Sequence, residues 1–425
     1  MKVLVLGSGA REHALVRALV ADDAVSEVHA APGNAGIALD AATHPIDLTD
    51  PLAPLGLAKR IGADLVVIGP EGPLVIGAAN HLRAAGFATF GPDADAARLE
   101  GSKAFAKEVM AEAGVPTALA HVCDSVAEVE VALDQFGAPY VVKDDGLAAG
   151  KGVVVTDDRD AALDHARECL AKLGARVVIE EFLDGPEVSL FCLTDGESVV
   201  PLQPAQDFKR VHDGDLGPNT GGMGAYSPLP WAPEGMVEDV VARVVQPVVD
   251  VLRHRGTPFV GLVYAGLALT SRGIRVIEFN ARFGDPETQV VLARLQTPIA
   301  HVLLGASNGT LHDVEDLRWH DGAAVTVVVA SENYPGLPLL GGVIGGLDEA
   351  NAVEDAYVLH AGTAPAHDGA IVSAGGRVLT VVGLGADLAA ARVRAYEAVD
   401  RIELVGSHHR RDIAAAAARG EIQAP

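Results

Sequence analysis

A carboxylate and a carboxamide stand two residues apart at the end of a strongly apolar segment, as Glu278 and Asn280. Because side chains alternate between the two faces of a strand, these two point the same way. Their oxygen atoms suit Mg²⁺, which bridges protein ligands to nucleotide phosphates, and Mn²⁺ accepts the same ligands. Arg282 follows on that face if the strand continues, and Asp285 and Glu287 lie in the turn beyond it. The pattern predicts a metal and anion site rather than a solvent-facing polar strand.

Two lysines belong to a loop of glycine and alanine that joins two apolar segments. Lys143 ends the first segment, and Lys151 stands just before the second with Gly150 beside it. The loop does not fit the G-x-x-x-x-G-K-[ST] pattern of a P-loop. Small residues nevertheless let the backbone lie against an anion, and lysines neutralise phosphate oxygens. In so acidic a chain, we interpret the pair as a phosphate site rather than a solvated hairpin loop.

Three further loops carry candidate binding groups. Residues 180–187 join two predicted strands as a hinge, in which Glu187 suits sugar hydroxyls. Residues 206–210 and 217–224 combine charged or amide side chains with glycines. That composition is typical of substrate-binding loops, and an irregular connector has it as well.

The N-terminal turn resembles a dinucleotide-binding fingerprint with one departure. Gly7 and Gly9 follow the first apolar segment, but Glu12 stands where the third glycine of that fingerprint belongs. A strand-to-helix turn with two glycines still presents backbone N–H groups to a phosphate. The turn therefore fits a phosphate site and an ordinary tight turn equally well.

The elements that must position these groups begin with a parallel sheet. The apolar segments 2–6 and 64–68 each end in a glycine-rich turn, and a helical pattern follows each of them. Buried strands that alternate with helices indicate a doubly wound α/β domain. Ligands of such domains bind beyond the carboxyl ends of the strands, where both turns fall.

The rest of the chain divides into further units. Residues 93–113 predict one long helix that leaves the first domain, and residues 120–190 form a compact unit around the glycine loop. Residues 201–230 show little periodicity, and loops of that length are usually functional. The predicted domains are an N-terminal α/β domain at 1–100, a core with the inserted unit 120–190 at 101–325, and a C-terminal domain at 326–425.

Composition narrows the function classes. The chain has 425 residues and a formal net charge of −25, which argues against a nucleic-acid-binding or membrane-surface protein. Three cysteines form neither a disulfide framework nor a C-x-x-C zinc pair. The N-terminal apolar segment is too short for a secretion signal. We expect a cytoplasmic enzyme that has no nucleic-acid or membrane partner.

The order of the motifs resembles one family closely. The segments are GSGAREHA at 7–14, GPEGPL at 69–74, EGSKAF at 100–105, DGLAAGKGV at 145–153, GPNTGGMGAYSP at 217–228 and EFNARFGDPETQ at 278–289. Together they resemble the phosphoribosylamine–glycine ligase (glycinamide ribonucleotide synthetase) family of the ATP-grasp superfamily. The resemblance spans nearly the whole chain. It implies a Rossmann-like, pre-ATP-grasp N-terminal domain, an ATP-grasp core whose lid is the unit 120–190, and a small β-rich C-terminal domain.

The resemblance also implies a reaction. ATP, glycine and 5-phosphoribosylamine would give glycinamide ribonucleotide, ADP and phosphate through glycyl phosphate, in the second step of purine biosynthesis. ATP must activate glycine because a carboxylate is a poor acyl donor. Phosphoryl transfer depends mainly on positioning and charge neutralisation. Transient contact with neighbouring purine-pathway enzymes would suit the labile amine substrate.

The resemblance assigns roles to individual residues of this chain. It places the divalent metal on Glu278 and Asn280. It implies catalytic roles for Arg282, Lys143 and Asp207. For ATP it implies Lys103, Lys143, Gly150, Lys151, Glu180, Glu181, Phe182 and Glu187. For phosphoribosylamine and glycine it implies Gly9, Arg11, Glu12, Asn34, Glu71, Lys209, Arg210, Asn219, Asp285 and Glu287.

Three positions depart from the usual family pattern. Asp144 stands where the flap usually has alanine, and Phe208 replaces a histidine. After Pro335, a second tyrosine and a lysine are missing. None of these changes removes a predicted phosphate or metal ligand, so we expect activity to be retained.

Three alternatives compete with this interpretation. A dinucleotide-dependent dehydrogenase would explain only the N-terminal turn. An ATP-grasp carboxylase would share the flap and the Glu278/Asn280 pair, but would not explain the segments 217–224 and 284–288. A non-catalytic nucleotide-binding regulator could have lost the lysines and metal ligands, which this chain keeps.

Overall fold

The computed structural model describes residues 1–147 and 152–424. Its N-terminal domain is a parallel sheet of strand order β3-β2-β1-β4-β5, which confirms the predicted α/β layer. The strands are β1 Lys2–Gly7, β2 Glu27–Pro32, β3 Ala42–Thr43, β4 Leu65–Ile68 and β5 Ala88–Phe90. The helices are α1 Ala10–Val20, α2 Ile37–Asp40, α3 Ala53–Ile61, α4 Glu71–Val75 and α5 Ala78–Ala84. The central strands β1 and β4 are almost wholly buried, as strands covered on both faces must be.

The prediction of one long helix over 93–113 is wrong. The segment forms α6 Ala94–Gly101 and α7 Lys103–Glu112, and Ser102 between them is extended, with φ −144° and ψ 115°. The Ser102 hydroxyl accepts the N–H of Phe105 and so caps the second helix. Serine favours such a cap over a helix interior, and here the cap makes Lys103 the first residue of α7.

The lid is a small α/β unit with its own apolar core. Its antiparallel sheet has the order β6-β9-β7-β8, and two helices pack on it. The elements are β6 Ala120–Cys123, α8 Val126–Phe136, β7 Tyr140–Asp144, β8 Val153–Thr156, α9 Arg159–Leu170 and β9 Val177–Glu180. The glycine loop follows β7, so Lys143 lies near the end of an interior strand of the lid sheet.

The core contains a long antiparallel sheet of order β11-β10-β16-β17. Its strands are β10 Glu187–Asp195, β11 Val199–Pro201, β16 Val260–Thr270 and β17 Gly273–Asn280, and the helices α10 Met236–Val240 and α11 Gln246–His254 cover it. Residues 201–230, for which the sequence shows little periodicity, contain β12 Gln206–Asp207, β13 Arg210–His212, β14 Leu216–Asn219 and β15 Gly224–Ser227. These strands are two to four residues long, too short to leave a periodic pattern.

The C-terminal region shares a sheet with the core. The order β12-β15-β18-β22-β19 joins strands from both, and β18 crosses the position 325/326 at which the sequence divides the domains. The remaining elements are α12 Glu287–Arg294, α13 Ile299–Asn308, β18 Ala323–Ala330, α14 Leu347–Asn351, β19 Ala356–His360, β20 Thr363–Pro365, β21 Ile371–Ser373, β22 Arg377–Gly385, α15 Leu388–Val399 and α16 Ala415–Ala418. Within the described residues, no helix is long and apolar enough to cross a membrane.

Candidate active site

The described residues enclose a cavity of about 1030 Å³ between the domains. The N-terminal domain, the lid, the core and the C-terminal segment all contribute to its wall. Predicted site residues that line it are Arg11, Glu71, Lys103, Lys143, Glu180, Glu181, Phe182, Glu187, Asp207, Lys209, Arg210, Asn219, Glu278, Asn280, Arg282, Asp285 and Glu287. Gly150 and Lys151 lie outside the described residues.

One end of the cavity holds a group of lysines around a buried carboxylate. Lys143 Nζ lies 2.7 Å from Glu180 Oε2, and Lys107 Nζ lies 2.9 Å from Glu180 Oε1. Lys143 also donates a hydrogen bond to the carbonyl of Ile277 at 3.1 Å. That carbonyl is available because the pairing of β16 with β17 shifts at this point, as in a β-bulge. We call Lys103, Lys107, Lys143 and Glu180 the lysine cluster.

Lys103 reaches this cluster because its helix begins at the lid. Asp145 Oδ1 accepts the N–H of Ala104 at 2.8 Å, and Arg176 lies 2.8 Å from Asp145 Oδ2. Lys103 Nζ donates to the carbonyl of Gly146 at 3.2 Å, and burial lowers the pKa of Lys103. The departure at Asp144 is explained by Lys172, which pairs with its carboxylate.

The predicted adenine hinge lies next to the lysine cluster. The carboxylate of Glu181 faces away from it, toward the N–H of Leu119 at 3.1 Å and Arg272 at 3.0 Å. The N–H of Glu181 donates to the carbonyl of Leu119. Phe182 is about half exposed, at 47%. The predicted hinge therefore depends on the backbone groups that these bonds leave free.

Glu278 and Asn280 lie on the same face of β17, as the sequence predicts, and both line the cavity. Burial alone would raise the pKa of Glu278, but the cations around it lower that pKa below its usual range; the largest contributions come from Lys209, Lys143 and Lys103. An ionised carboxylate and an amide oxygen suit a hard cation. No cluster of three or more His, Cys, Asp or Glu side chains suited to a metal occurs in residues 1–147 or 152–424. The pair therefore offers two oxygen ligands to a divalent cation.

The opposite end of the cavity is built from arginines. Arg282 lies 3.2 Å from Glu71 and 3.1 Å from Glu100, and Nη1 donates to the carbonyl of Phe283 at 3.1 Å. Glu100 also accepts the N–H of Ala281 at 2.7 Å. Two carboxylates from the N-terminal part of the chain thus fix the guanidinium of a core residue.

Asp285 connects two more arginines to this end. Arg377, on β22, donates to the carbonyl of Asp285 at 2.7 Å and lies 3.4 Å from its carboxylate. Burial opposes ionisation of Asp285, but Arg377 and Arg11 lower its pKa. Arg11 itself donates to the carbonyl of Phe283 at 3.0 Å. We call Arg11, Arg282 and Arg377 the arginine cluster.

Two further carboxyl groups lie between the clusters. Glu287 is buried and accepts hydrogen bonds from Tyr264 at 2.6 Å and Ser189 at 3.1 Å. Burial raises the pKa of Asp207 to about 8; Glu287 adds to this shift, whereas Lys209 opposes it. Asp207 is therefore mainly protonated at neutral pH, unlike Asp285.

Several of the loop residues 206–219 line the cavity. Lys209 Nζ lies 2.5 Å from Glu187, the predicted ribose ligand. Arg210 donates to the carbonyl of Gly217 at 2.8 Å, and Asn219 donates to that of Val153 at 3.3 Å. The contact of Asn219 places the end of the loop beside β8, and two residues further on the carbonyl of Gly221 accepts a hydrogen bond from Arg377 at 2.6 Å.

Gly9, Glu12 and Asn34 do not line the cavity. Glu12 is 1% exposed and accepts the N–H of Gly9 at 2.6 Å and the Nε–H of Arg11 at 2.5 Å. A side chain at Gly69 would come within 2.1 Å of the Glu12 carboxylate. Asn34 is bound to backbone groups on both sides, including the carbonyl of His360 at 2.8 Å. Because Glu12 fills the N-terminal turn, the turn also fails as a dinucleotide site.

Three residues that the sequence analysis missed help to build the site: Lys107, Glu100 and Arg377. Lys107 is four residues after Lys103 on one helix, so the two share a face, and that spacing was a usable signal. Glu100 belongs to the recognised EGSKAF motif, but its carboxylate has no spacing relation to Arg282. Nothing around Arg377 in the sequence marks it as a partner of Asp285.

A lysine-lined cavity beneath a separate lid, beside a core sheet that carries Glu278 and Asn280, defines an enzyme of the ATP-grasp class. Three family models match successive parts of the chain. They are the phosphoribosylglycinamide synthetase N domain at residues 1–100, its ATP-grasp (A) domain at 101–288 and its C domain at 324–416. The chain therefore belongs to the phosphoribosylglycinamide synthetase family of ligases, as its motifs predict.

Individual relatives agree with this assignment. The chain is 67% identical to a phosphoribosylamine–glycine ligase of Streptomyces coelicolor over 98% of this chain and 100% of that one. A crystal structure of a phosphoribosylamine–glycine ligase from Thermotoga maritima has a TM-score of 0.84 and 34% identity, covering 97% of this chain and 100% of that chain. The biotin carboxylase domain of the Hydrogenobacter thermophilus 2-oxoglutarate carboxylase has a TM-score of 0.73 at 18% identity, covering 96% and 91%, and shares the fold alone. The predicted three-domain ATP-grasp fold is confirmed.

Proposed function

We propose that this chain ligates glycine to 5-phosphoribosylamine with ATP, giving glycinamide ribonucleotide, ADP and phosphate in purine biosynthesis. The relatives from Streptomyces coelicolor and Thermotoga maritima carry the name of this activity. The observation that carries the proposal is one continuous cavity between the lysine cluster and the arginine cluster. A nucleotide and a phosphorylated amine can bind there with their reacting ends together, as a two-step ligation requires.

ATP binds at the end of the cavity that contains the lysine cluster. Lys103 and Lys143 contact its phosphates, and the loop with Gly150 and Lys151 covers them. The backbone of Glu180, Glu181 and Phe182 faces the adenine, and Glu187 binds the ribose. Lys209 lies against Glu187 and adds positive charge on the same side.

Glu278 and Asn280 hold the divalent metal, Mg²⁺ or Mn²⁺. When bound, the metal neutralises charge on the phosphates of the nucleotide. The lysines next to Glu278 keep its carboxylate ionised, and so ready to bind a cation at neutral pH.

The first chemical step transfers phosphate to glycine. A carboxylate oxygen of glycine attacks the γ-phosphorus, the bond to the β-phosphate oxygen breaks, and glycyl phosphate and ADP form. Lys143 and Arg282 contact the transferred phosphoryl group and stabilise its charge. Water must be excluded because an acyl phosphate hydrolyses readily, and the lid (residues 120–190) serves this purpose.

In the second step the amine nitrogen of phosphoribosylamine attacks the carbonyl carbon of glycyl phosphate. A carbon–nitrogen bond forms, the carbon–oxygen bond to phosphate breaks, and the amine gives up a proton. Asp207 accepts that proton in its ionised form. Four side chains orient the two small substrates: Arg11, Glu71, Asp285 and Glu287. Gly9, Glu12 and Asn34 shape the turn behind Arg11. Arg210 and Asn219 act from the side of the cavity where ATP binds.

Two alternatives from the sequence remain distinguishable. An ATP-grasp carboxylase shares the fold but activates bicarbonate instead of glycine. A non-catalytic nucleotide sensor would bind ATP without consuming it. Both can be tested by the substrates on which ADP release depends.

The test is ADP release from Mg·ATP by the purified full chain. We expect release only when glycine and freshly prepared phosphoribosylamine are both present, and formation of glycinamide ribonucleotide in equal amount. Glu278→Ala should abolish release, whereas Glu238→Ala, at an exposed position, should leave it unchanged within about twofold. Equal release with bicarbonate in place of glycine would establish the carboxylase, and nucleotide binding without release would establish the sensor.

Further proposals concern the surroundings of the reaction. We propose the domain limits 1–100, 101–325 and 326–425, with the lid at 120–190. We also propose that the protein works in the cytoplasm, where purine synthesis takes place, and contacts neighbouring pathway enzymes transiently.

A further inference from the structure

The C-terminal segment 410–413 runs along the wall of the cavity and centres on a buried guanidinium. The side chain of Arg410 is only 1% exposed, although it carries a full charge. Nε and Nη2 donate to the two oxygens of Asp412 at 2.7 and 2.6 Å. Nη1 donates to Asp215 at 2.6 Å and to the carbonyl of Arg210 at 3.2 Å. A charge buried with this many partners fixes the geometry of everything that it binds.

The groups on the other side of Arg410 belong to the hairpin β13–β14, residues 210–219. Asp412 also accepts the N–H of Gly214 at 2.8 Å, and the N–H of Arg411 donates to Asp213 at 2.8 Å. The turn of the hairpin is therefore attached to the C-terminal segment at several points. Few apolar contacts hold this turn, since residues 212–218 are exposed.

The hairpin in turn connects to the nucleotide side of the cavity. Lys209, directly before β13, pairs with Glu187, and Asn219 at the end of β14 donates to the carbonyl of Val153 in the lid. A shift of the hairpin would move both of these contacts. Displacements of about 1 Å at such positions are enough to weaken binding and catalysis markedly.

The unusual residue Phe208 takes part in the same arrangement. The guanidinium carbon of Arg410 lies 4.8 Å from the centre of the Phe208 ring, within cation–π range. On its other side the ring lies near Tyr226, with centroids 6.1 Å apart. An aromatic ring at position 208 thus gives Arg410 a face to lie on.

We propose that Arg410 is a positioning residue for nucleotide binding, which acts by holding the hairpin 210–219 against the lid. Arg410 does not contact the nucleotide itself. It affects nucleotide binding through the positions of Lys209, directly before the hairpin, and Asn219, at its end. This inference rests on the proposed location of ATP in the cavity. It does not depend on which acceptor the enzyme uses.

The test is the affinity of the full chain for a non-hydrolysable Mg·ATP analogue, measured by titration calorimetry. Arg410→Lys keeps the charge but cannot bind Asp412 with two parallel bonds or lie flat on Phe208. We expect its Kd to rise about tenfold, a change typical of a lost charge-assisted contact. Arg411→Lys is the matched control, because the Arg411 side chain is exposed and only its backbone N–H contacts the hairpin; it should leave Kd unchanged.

Asp215→Asn keeps the proposal testable if Arg410→Lys fails to fold. Asp215 is exposed, so its loss threatens the fold less, and we expect a smaller rise in Kd. The Kd changes of the two variants should not add fully in the double variant, because both act through the attachment of Arg410 to the hairpin. A merely structural Arg410 would lower the folded fraction and leave Kd unchanged, and that result would overturn the proposal. Binding without turnover in the unmodified chain would contradict the proposed function but leave this test intact.

Discussion

The two ends of the cavity bind anions in different ways. The lysine cluster comes from α7 and the neighbouring strands of the lid, and one carboxylate, Glu180, joins Lys107 to Lys143. The arginine cluster comes from three separate domains, since Arg11 follows β1, Arg282 follows β17 and Arg377 begins β22. Lysines act as mobile point charges, whereas the planar guanidinium fixes direction. The difference teaches that the lysine cluster is built from α7 and the lid next to it, whereas the arginine cluster exists only after the domains assemble.

Two buried carboxyl groups of the cavity, Asp207 and Asp285, differ in the direction of their pKa shifts. Burial opposes ionisation of both Asp207 and Asp285. Two arginines overcome that effect at Asp285, whereas at Asp207 burial remains the largest effect and the lowering by Lys209 is opposed by nearby carboxylates. Carboxyl groups whose pKa values diverge in this way mark separate roles in proton transfer. Asp285 is suited to hold a cationic group, and Asp207 is suited to exchange a proton near neutral pH.

We expect the largest effect from a substitution in the arginine cluster, which should impair the use of phosphoribosylamine and not the binding of ATP. In Arg282→Lys the contacts to Glu71 and Glu100 cannot both be kept, because an ammonium has no fork. We expect kcat/KM for phosphoribosylamine to fall about 100-fold, as when one transition-state donor is removed. The Kd of the ATP analogue should stay within about twofold, because Arg282 stabilises the phosphoryl group mainly while it is being transferred. Arg243→Lys, at an exposed helical position, serves as the control for the substitution itself. Equal losses at both ends would contradict the separation of the clusters.

We expect a smaller effect from a substitution in the lysine cluster, which should weaken the binding of ATP. Lys107 donates to Glu180, to the carbonyl of Ala118 and to the hydroxyl of Thr117, so it acts on ATP through Lys143. In Lys107→Met, Glu180 pairs only with Lys143. The carboxylate then binds Lys143 more strongly and keeps this lysine away from the phosphates. We expect the Kd of the ATP analogue to rise about tenfold.

Two comparisons sharpen that prediction. Lys59→Met, at an exposed helical position, should bind the analogue like the unmodified chain. Lys107→Arg should restore much of the lost affinity, because it keeps a charge near Glu180. If KM for phosphoribosylamine rises as much as Kd for ATP, the lysine cluster is not confined to one end.

We expect the smallest effect in the pH dependence of kcat, which should distinguish Asp207 from Asp285. Because the pKa of Asp207 is raised to about 8, its base form increases as pH rises through that value. Between pH 7 and 8.5 the ionised fraction, and with it kcat, should rise about eightfold. Asp207→Asn should flatten this profile. Asp285→Asn should lower kcat at every pH and keep the slope, since Asp285 is already ionised at neutral pH. A slope that survives Asp207→Asn would exclude Asp207 as the proton acceptor.

Local patterns predicted the parts of the site that lie within one element. The alternation of β17 placed Glu278 and Asn280 on one face, and the apolar segment before the glycine loop placed Lys143 at its end. The helix over 93–113 failed because a serine cap interrupts an otherwise continuous pattern. The strands within 201–230 were not predicted because each has only two to four residues, too few to show a period, and β15 also pairs with the distant β18.

The sequence by itself determined the family, the three-domain order, the shared face of Glu278 and Asn280 on β17 and the place of Lys143 near the end of β7, because these depend on spacing along one strand or one motif. Only the tertiary structure decided that Glu100 and Glu71 bind Arg282, that Arg377 reaches Asp285, and that Glu12 fills its own turn. Those contacts join residues more than 90 positions apart, apart from Glu12, and depend on how the domains pack. Pairing at such distances carries no periodic signal in a single chain, whereas burial and charge make it specific once the chain has folded.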